Sequence, residues 1–147
     1  MATMKNILEG KDYTFWFVAP NAKVGEALKM LTEKRIGVVL VMDGERLWGI
    51  FSERDFVRLA MKTGSFSPDL AVSEVMTSQV YFVKLDTTVD ECMALMTERR
   101  IRHAPVMDGK MVVGIVSIGD VVKELVAERE GVIRGLENYI AVREFPT

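Results

Sequence analysis

The sequence predicts an α+β fold: two pseudo-symmetric β-α-β-β-α repeats packed as one module, with an extended helix at the C-terminus. Three observations point there. The first is self-similarity: a shift of 65 positions lays Val18–Val57 on Val83–Val122 without a gap, and 16 of the 40 aligned positions are identical. A repeat of this kind sets the architecture before any single residue is interpreted, and it implies two related clefts about a pseudo-twofold axis. The second is an alternation of hydrophobic period from strand-like to helix-like within each copy. The third is size, since 147 residues are one domain's worth and two half-units must share a core.

Element by element, Phe15-Trp16-Phe17-Val18 is a short apolar run stopped by Pro20. Val24, Ala27, Leu28 and Leu31 follow the i, i+3, i+4, i+7 spacing of an amphipathic helix beginning after Asn21. Val38 to Val41 is wholly apolar and mostly β-branched, which suits a buried strand. Asp43-Gly44 signals a turn, Leu47 to Phe51 completes a hairpin, and a helix runs from Glu53 to a stop near Thr63-Gly64. The second copy repeats this order: Val80–Val83, a helix with Val89, Cys92, Met93 and Met96, then Ala104–Met107, Asp108-Gly109, Val112–Val116 and a helix from Ile118. The boundaries expected are 7–63 for the first repeat with an N-terminal helical stub, 64–71 for a linker, 72–126 for the second repeat and 127–147 for a helical extension and tail. The last helix keeps an apolar pattern to about Ala141, interrupted by Gly131 and Gly135, and a second copy of the chain is the expected cover for that stripe.

Composition excludes several classes. A net charge of −2 argues against a general binder of nucleic acid or anionic membranes. No apolar run reaches the ~20 residues needed to span a bilayer, and the N-terminus lacks a signal-peptide layout, so a cytoplasmic location is expected. The single cysteine, Cys92, reads as a buried inert thiol. The ten methionines read as adaptable core filler.

The chemistry sits where each hairpin ends: Gly49-Ile50-Phe51-Ser52-Glu53-Arg54-Asp55 and Gly114-Ile115-Val116-Ser117-Ile118-Gly119-Asp120. Ser-x-x-Asp at a strand-to-helix junction is a helix-capping signature. The same place is an anion site, and its carboxylate can accept two hydrogen bonds from a vicinal diol. The two readings coexist.

Tandem strand-helix-hairpin-helix units, Val75-Met76-Thr77 before the second copy, and the Gly-h-x-Ser-x-x-Asp closing motif resemble a pair of cystathionine-β-synthase (CBS) domains. The resemblance covers roughly Ile7 to Leu125, and the string Thr97 to Val106 is similar to small stand-alone prokaryotic CBS-pair proteins. It implies a regulatory module whose clefts hold adenosine-containing ligands: AMP or ATP first, ADP, and also NAD(H) or S-adenosylmethionine, with no obligate cofactor. In the family's pattern the aspartate holds the ribose hydroxyls, which implies Asp55 with Ser52 and Asp120 with Ser117. Backbone at Thr77 to Val80 and at Ala104-Pro105 would edge the adenine, with Ile115 as an apolar wall. Arg102 and His103 match the family's phosphate-reaching basic pair, whereas the first repeat has Gly37-Val38 there and carries Arg54 within its own motif. Unequal clefts are the expectation.

Other basic residues, Lys34, Arg35, Arg99 and Arg100, read as solvated helix ends. Trp16 and Trp48 read as core or dimer-face residues, Trp16 being the better base platform. His103 is the only histidine and stands in no Cys/His cluster, which disfavours a metal. No Walker loop, nucleophile elbow or His-Glu-x-x-His occurs, so catalysis is not expected. Two functions remain open: a nucleotide sensor acting on an unidentified effector protein, and a constitutive homodimeric scaffold in which the same residues merely cap helices. A nucleic-acid contact through Arg99, Arg100 and Arg102 is the weakest reading.

Overall fold

The structure is a computed structural model that describes residues 2–11, 15–127, 143, 145 and 146. In chain order the elements are α1 (Met4–Glu9), β1 (Phe17–Val18), α2 (Val24–Lys34), β2 (Val38–Asp43), β3 (Arg46–Ser52), α3 (Glu53–Thr63), a 3-10 turn (Val72–Glu74), β4 (Val83–Lys84), α4 (Val89–Arg99), β5 (His103–Asp108), β6 (Met111–Ser117) and α5 (Ile118–Ala127). Any continuation of the last helix past Ala127 lies outside the described residues.

Each repeat builds one three-stranded sheet, β1-β2-β3 and β4-β5-β6. The first strand pairs parallel to the second through the crossover helix, and the second pairs antiparallel to the third through a tight turn. Even the irregularities repeat: the register shifts after Val41 in one hairpin and after Val106 in the other. Gly44 and Gly109 turn these hairpins at φ of 62° and 61°, where a side chain would be strained. The opening strands are shorter than the apolar runs suggest, because only Phe17–Val18 and Val83–Lys84 find ladder partners.

Alternation on the central strands explains the layering. Val39, Val41 and Phe51 face α2 in one buried cluster, while Ala104, Val106 and Val116 face α4 and α5 in another. The opposite faces meet between repeats: Leu40, Met42 and Val112 are buried together, with Phe15, Ile50, Met107 and Ile115 packed around them. This third cluster is the shared core that two short half-units require.

The leading stubs are exchanged. In sequence α1 precedes the first repeat, yet Met4, Ile7 and Leu8 are buried against Val83, Val89, Val116 and Val121 of the second. Met4 N donates to Thr87 O at 2.9 Å, and Val89 N donates to Ala2 O at 3.0 Å. Reciprocally, Val72 and Val75 are buried with Val24, Leu31 and Phe51 of the first repeat, and Val72 N donates to Ala22 O at 2.8 Å. Ile7 and Val72 are equivalent under the 65-residue shift. Each copy therefore closes the core of the other.

Candidate functional site

A cleft of about 260 Å³ opens between the repeats. Phe15, Trp16, Arg35, Ile36, Gly37 and Val38 line it from the first repeat, and His103, Ile115, Ser117 and Asp120 from the second, with Lys11 at its side. The start of β2 meets the start of β5, where Gly37 lies against His103, and β6 leads through Ser117 into the first turn of α5, which carries Asp120.

Asp120 caps α5 in a reciprocal box, its Oδ2 accepting from Ser117 N at 2.8 Å while Asp120 N donates to Ser117 Oγ at 3.1 Å. Lys11 Nζ donates to the same Oδ2 at 2.8 Å and to Ile115 O at 2.9 Å. Among the described residues, no hydrogen bond falls on Oδ1. Burial alone would raise the Asp120 carboxyl, but the Lys11 ammonium and the Ser117 N–H outweigh it and hold the group below the usual carboxylate range. His103 is half-buried on the same side of the cleft, paired across the strands from Ser117. Desolvation lowers its imidazole, with Lys11 and Arg102 reinforcing the shift and Asp120 opposing it. Its ring lies on Gly37: a Cβ there would come within 2.7 Å of His103 Cε1. Gly37, which aligns with the basic Arg102, thus makes room for the histidine of the other repeat.

The equivalent carboxylate of the first repeat is closed off. Asp55 is 8% exposed. Its Oδ1 accepts from Thr77 Oγ1 at 2.7 Å, and its Oδ2 accepts from Ser52 N at 2.9 Å and Ser52 Oγ at 3.3 Å. Thr77 is pinned there because its backbone exchanges two hydrogen bonds with Ile50, each 2.9 Å. Gly49 permits that approach, since a Cβ would lie 2.6 Å from Thr77 O. The close neighbour of the motif glycine is the protein's own backbone.

Of the residues expected at the site, His103, Ile115, Ser117 and Asp120 come together in the open cleft. Ser52, Asp55 and Thr77 form the closed network. Arg102 does not line the open cleft: its side chain is exposed, and its carbonyl accepts from Ile118 N at 2.8 Å. Arg54 is exposed on α3, and Val80 is half-buried ahead of β4. Ala104 and Pro105 are buried strand residues, paired across from Val116 and Ile115. Trp16 does line the cleft, held by Lys34 Nζ 4.3 Å from its ring centroid, whereas Trp48 is 41% exposed on β3. The shift-equivalent pair, Arg99 over Tyr81, sits at 4.9 Å.

Two cations escaped the reading of the sequence. Arg35 was expected as a solvated helix end, yet it lines the cleft from a left-handed α2 C-cap at φ 52°. Its equivalent Arg100 adopts φ 54°. The sequence signal was this identity at both helix ends. Lys11 stands where the shift places apolar Met76, a departure that marked it within the repeat. Among the described residues, the cleft sets two cations, Lys11 and Arg35, against one carboxylate, Asp120.

The comparisons agree with this architecture. The CBS domain family model matches residues 11–62 and 72–127. The mitochondrial CBS domain-containing protein CBSX3 of Arabidopsis thaliana is 35% identical over 142 residues, covering 93% of this chain and 69% of that protein. The solved structure of a putative signal-transduction protein with CBS domains from Burkholderia ambifaria is 42% identical, with a TM-score of 0.81 over 87% of this chain and 96% of that one. The CBS domain pair of protein MJ0100, solved in complex with 5′-methylthioadenosine and S-adenosyl-L-methionine, is 25% identical with a TM-score of 0.72, over 84% of this chain and 99% of that one. Sequence repeat, paired sheets and matched family model meet in one conclusion: this chain belongs to the CBS-domain family and carries the domain as a tandem pair.

Proposed function

We propose that this chain is a regulatory module that binds one adenosine-containing ligand in the Asp120 cleft and passes its occupancy to an effector protein by a change of conformation. The observation that carries this reading is the contrast between twin carboxylates. Asp120 stands in an open inter-repeat cleft beside Lys11, Arg35 and His103, while Asp55 is buried and satisfied internally. A sugar diol would bond the Asp120 carboxylate, Trp16, Ile36 and Ile115 would flank the base, and the cations would meet phosphate. The complex of MJ0100 with adenosine derivatives supports the ligand class. Charge favours AMP or ATP over the other candidates, NAD(H) and S-adenosylmethionine.

Titration calorimetry with AMP, ATP, NADH and S-adenosylmethionine tests the reading. Asp120→Ala should weaken binding roughly ten- to a hundredfold, the value of a charge-assisted hydrogen bond. An Asp120→Ala protein with unchanged affinity would reduce the residue to a helix cap.

A second reading, assembly as a homodimeric scaffold, has its own observation. Val57 and Met61 on α3 and Ile118 and Val122 on α5 are exposed apolar residues, and Val57 and Val122 are equivalent under the repeat. A patch doubled about a pseudo-axis suits a second copy of the chain. Sedimentation of Val57→Glu/Val122→Glu against the parent distinguishes a dimer on this face from a monomer.

A further inference from the structure

We infer that Lys11 is the specificity-determining residue of the Asp120 cleft, selecting phosphorylated adenosine ligands over uncharged or cationic ones; this rests on the proposed adenosine binding at that site. Lys11 Nζ holds the carboxylate that a sugar diol would need, at 2.8 Å, and among the described residues its other acceptor is Ile115 O at 2.9 Å. A ligand that engages Asp120 competes with this ion pair. The Lys11 side chain is 34% exposed, so an ammonium parted from its carboxylate loses more than a fully solvated one would. A ligand with a phosphate returns an anionic partner to it; adenosine returns none. S-adenosylmethionine carries one carboxylate but also a sulfonium and an ammonium, and its net positive charge is repelled in a cleft already lined by Lys11 and Arg35.

The other repeat supplies an internal contrast. Asp55 takes the neutral hydroxyl of Thr77, and the shift-equivalent of Lys11 is Met76. Among the described residues the cation beside Asp55 is Arg58, an exposed side chain whose guanidinium stands 3.9 Å from Oδ1, so the close ammonium donor at 2.8 Å belongs to the open cleft and not to the carboxylate motif as such. Lys11 also follows α1, whose residues Met4, Ile7 and Leu8 are packed into the second repeat, so the ammonium is delivered from a fixed base.

The test uses the full chain with Lys11→Met, which installs the residue of the sister repeat, and Lys11→Arg, which keeps the charge. Dissociation constants for AMP, adenosine and S-adenosylmethionine are measured by calorimetry. Parent and Lys11→Arg should prefer AMP to both others. Lys11→Met should reduce the AMP-over-adenosine preference roughly tenfold or more, through weaker AMP and tighter adenosine binding. A parallel NMR titration of His103, whose surroundings include Asp120, Lys11, Arg102 and Arg35, should show its imidazole pKa rising in Lys11→Met. Such a rise verifies that the folded variant has lost the ammonium from the cleft. If the parent binds AMP and Lys11→Met leaves the preference unchanged, the inference is overturned while the adenosine reading stands. If the parent binds none of the three ligands, the adenosine reading fails and takes the inference with it.

Discussion

Asp55 and Asp120 share a motif, a helix position and a backbone hydrogen bond from the preceding serine, yet they meet different surroundings. Thr77 turns Asp55 into a buried structural acceptor, whereas Lys11 leaves Asp120 in an exchangeable ion pair. Asp55→Ala strips the Thr77 hydroxyl and the Ser52 N–H of their acceptor, and it should cost about 1–3 kcal/mol in chemical denaturation. Thr77→Val takes the close donor from Oδ1 of the buried carboxylate and should also destabilise, while the double variant Asp55→Ala/Thr77→Val should cost less than the sum of the two. His103 gives a pH signature. Its folded pKa lies below the ordinary value of about 6.5, so the unfolded chain binds its proton first as pH falls. Stability attributable to His103 is accordingly complete above about pH 6.5 and is lost as pH drops through the folded value. Melting curves at pH 7.5 and 5.5 should separate more for the parent than for His103→Gln. Equal separations would contradict the burial of the imidazole. Cys92 contributes nothing to this window, because burial pushes its thiol up to about 11.

At the level of elements, the helix C-caps are the informative places. Arg35 and Arg100 occupy left-handed backbone at the ends of α2 and α4, a conformation that costs an L side chain roughly 1–2 kcal/mol. Arg100→Gly should raise stability by about 0.5–1 kcal/mol, after allowing for the greater freedom of glycine in the unfolded chain. Arg35→Gly should stabilise similarly but weaken anionic ligands, because its side chain lines the cleft. A lowered melting temperature for Arg100→Gly would refute the strain. The motif glycines give a second contrast. At Gly49 a methyl group would strike Thr77 O at 2.6 Å, and at Gly114 it would meet Leu8 Cδ2 at 2.7 Å. The backbone of Thr77, fixed by a reciprocal pair of hydrogen bonds with Ile50, cannot yield as the tip of a leucine can. Gly49→Ala should therefore cost about 1–3 kcal/mol, and Gly114→Ala clearly less, in parallel denaturation curves.

For the whole molecule, the exchanged stubs tie the repeats into one cooperative unit. Removing either stub exposes the core of the other repeat, and the central cluster of Leu40, Met42 and Val112 joins both sheets. Leu8→Ala should cost about 2–5 kcal/mol, although Leu8 lies outside both sheets. Its effect should appear as a single shifted transition, with amide protection falling in both sheets together. A second calorimetric transition confined to β4–β6 would show that the repeats fold separately.

The repeat, the order of its elements, the hairpin turns and the capping carboxylates were legible in the sequence because they depend on local chemistry: hydrophobic period, turn glycines and the spacing of Ser and Asp. The sequence also shows that Gly37-Val38 and Arg102-His103 differ at equivalent positions, but Gly37, Val38 and His103 meet in one cleft, and the contrast between the two carboxylates comes from Thr77 and Lys11 instead. Only the tertiary structure decided which sheet each stub covers, that Thr77 closes over Asp55, that His103 lines the cleft while Arg102 does not, and that Lys11 holds Asp120 from 109 residues away. Those are contacts between segments far apart in the chain. They are set by which surfaces must be buried together, and no local pattern of residues encodes that choice.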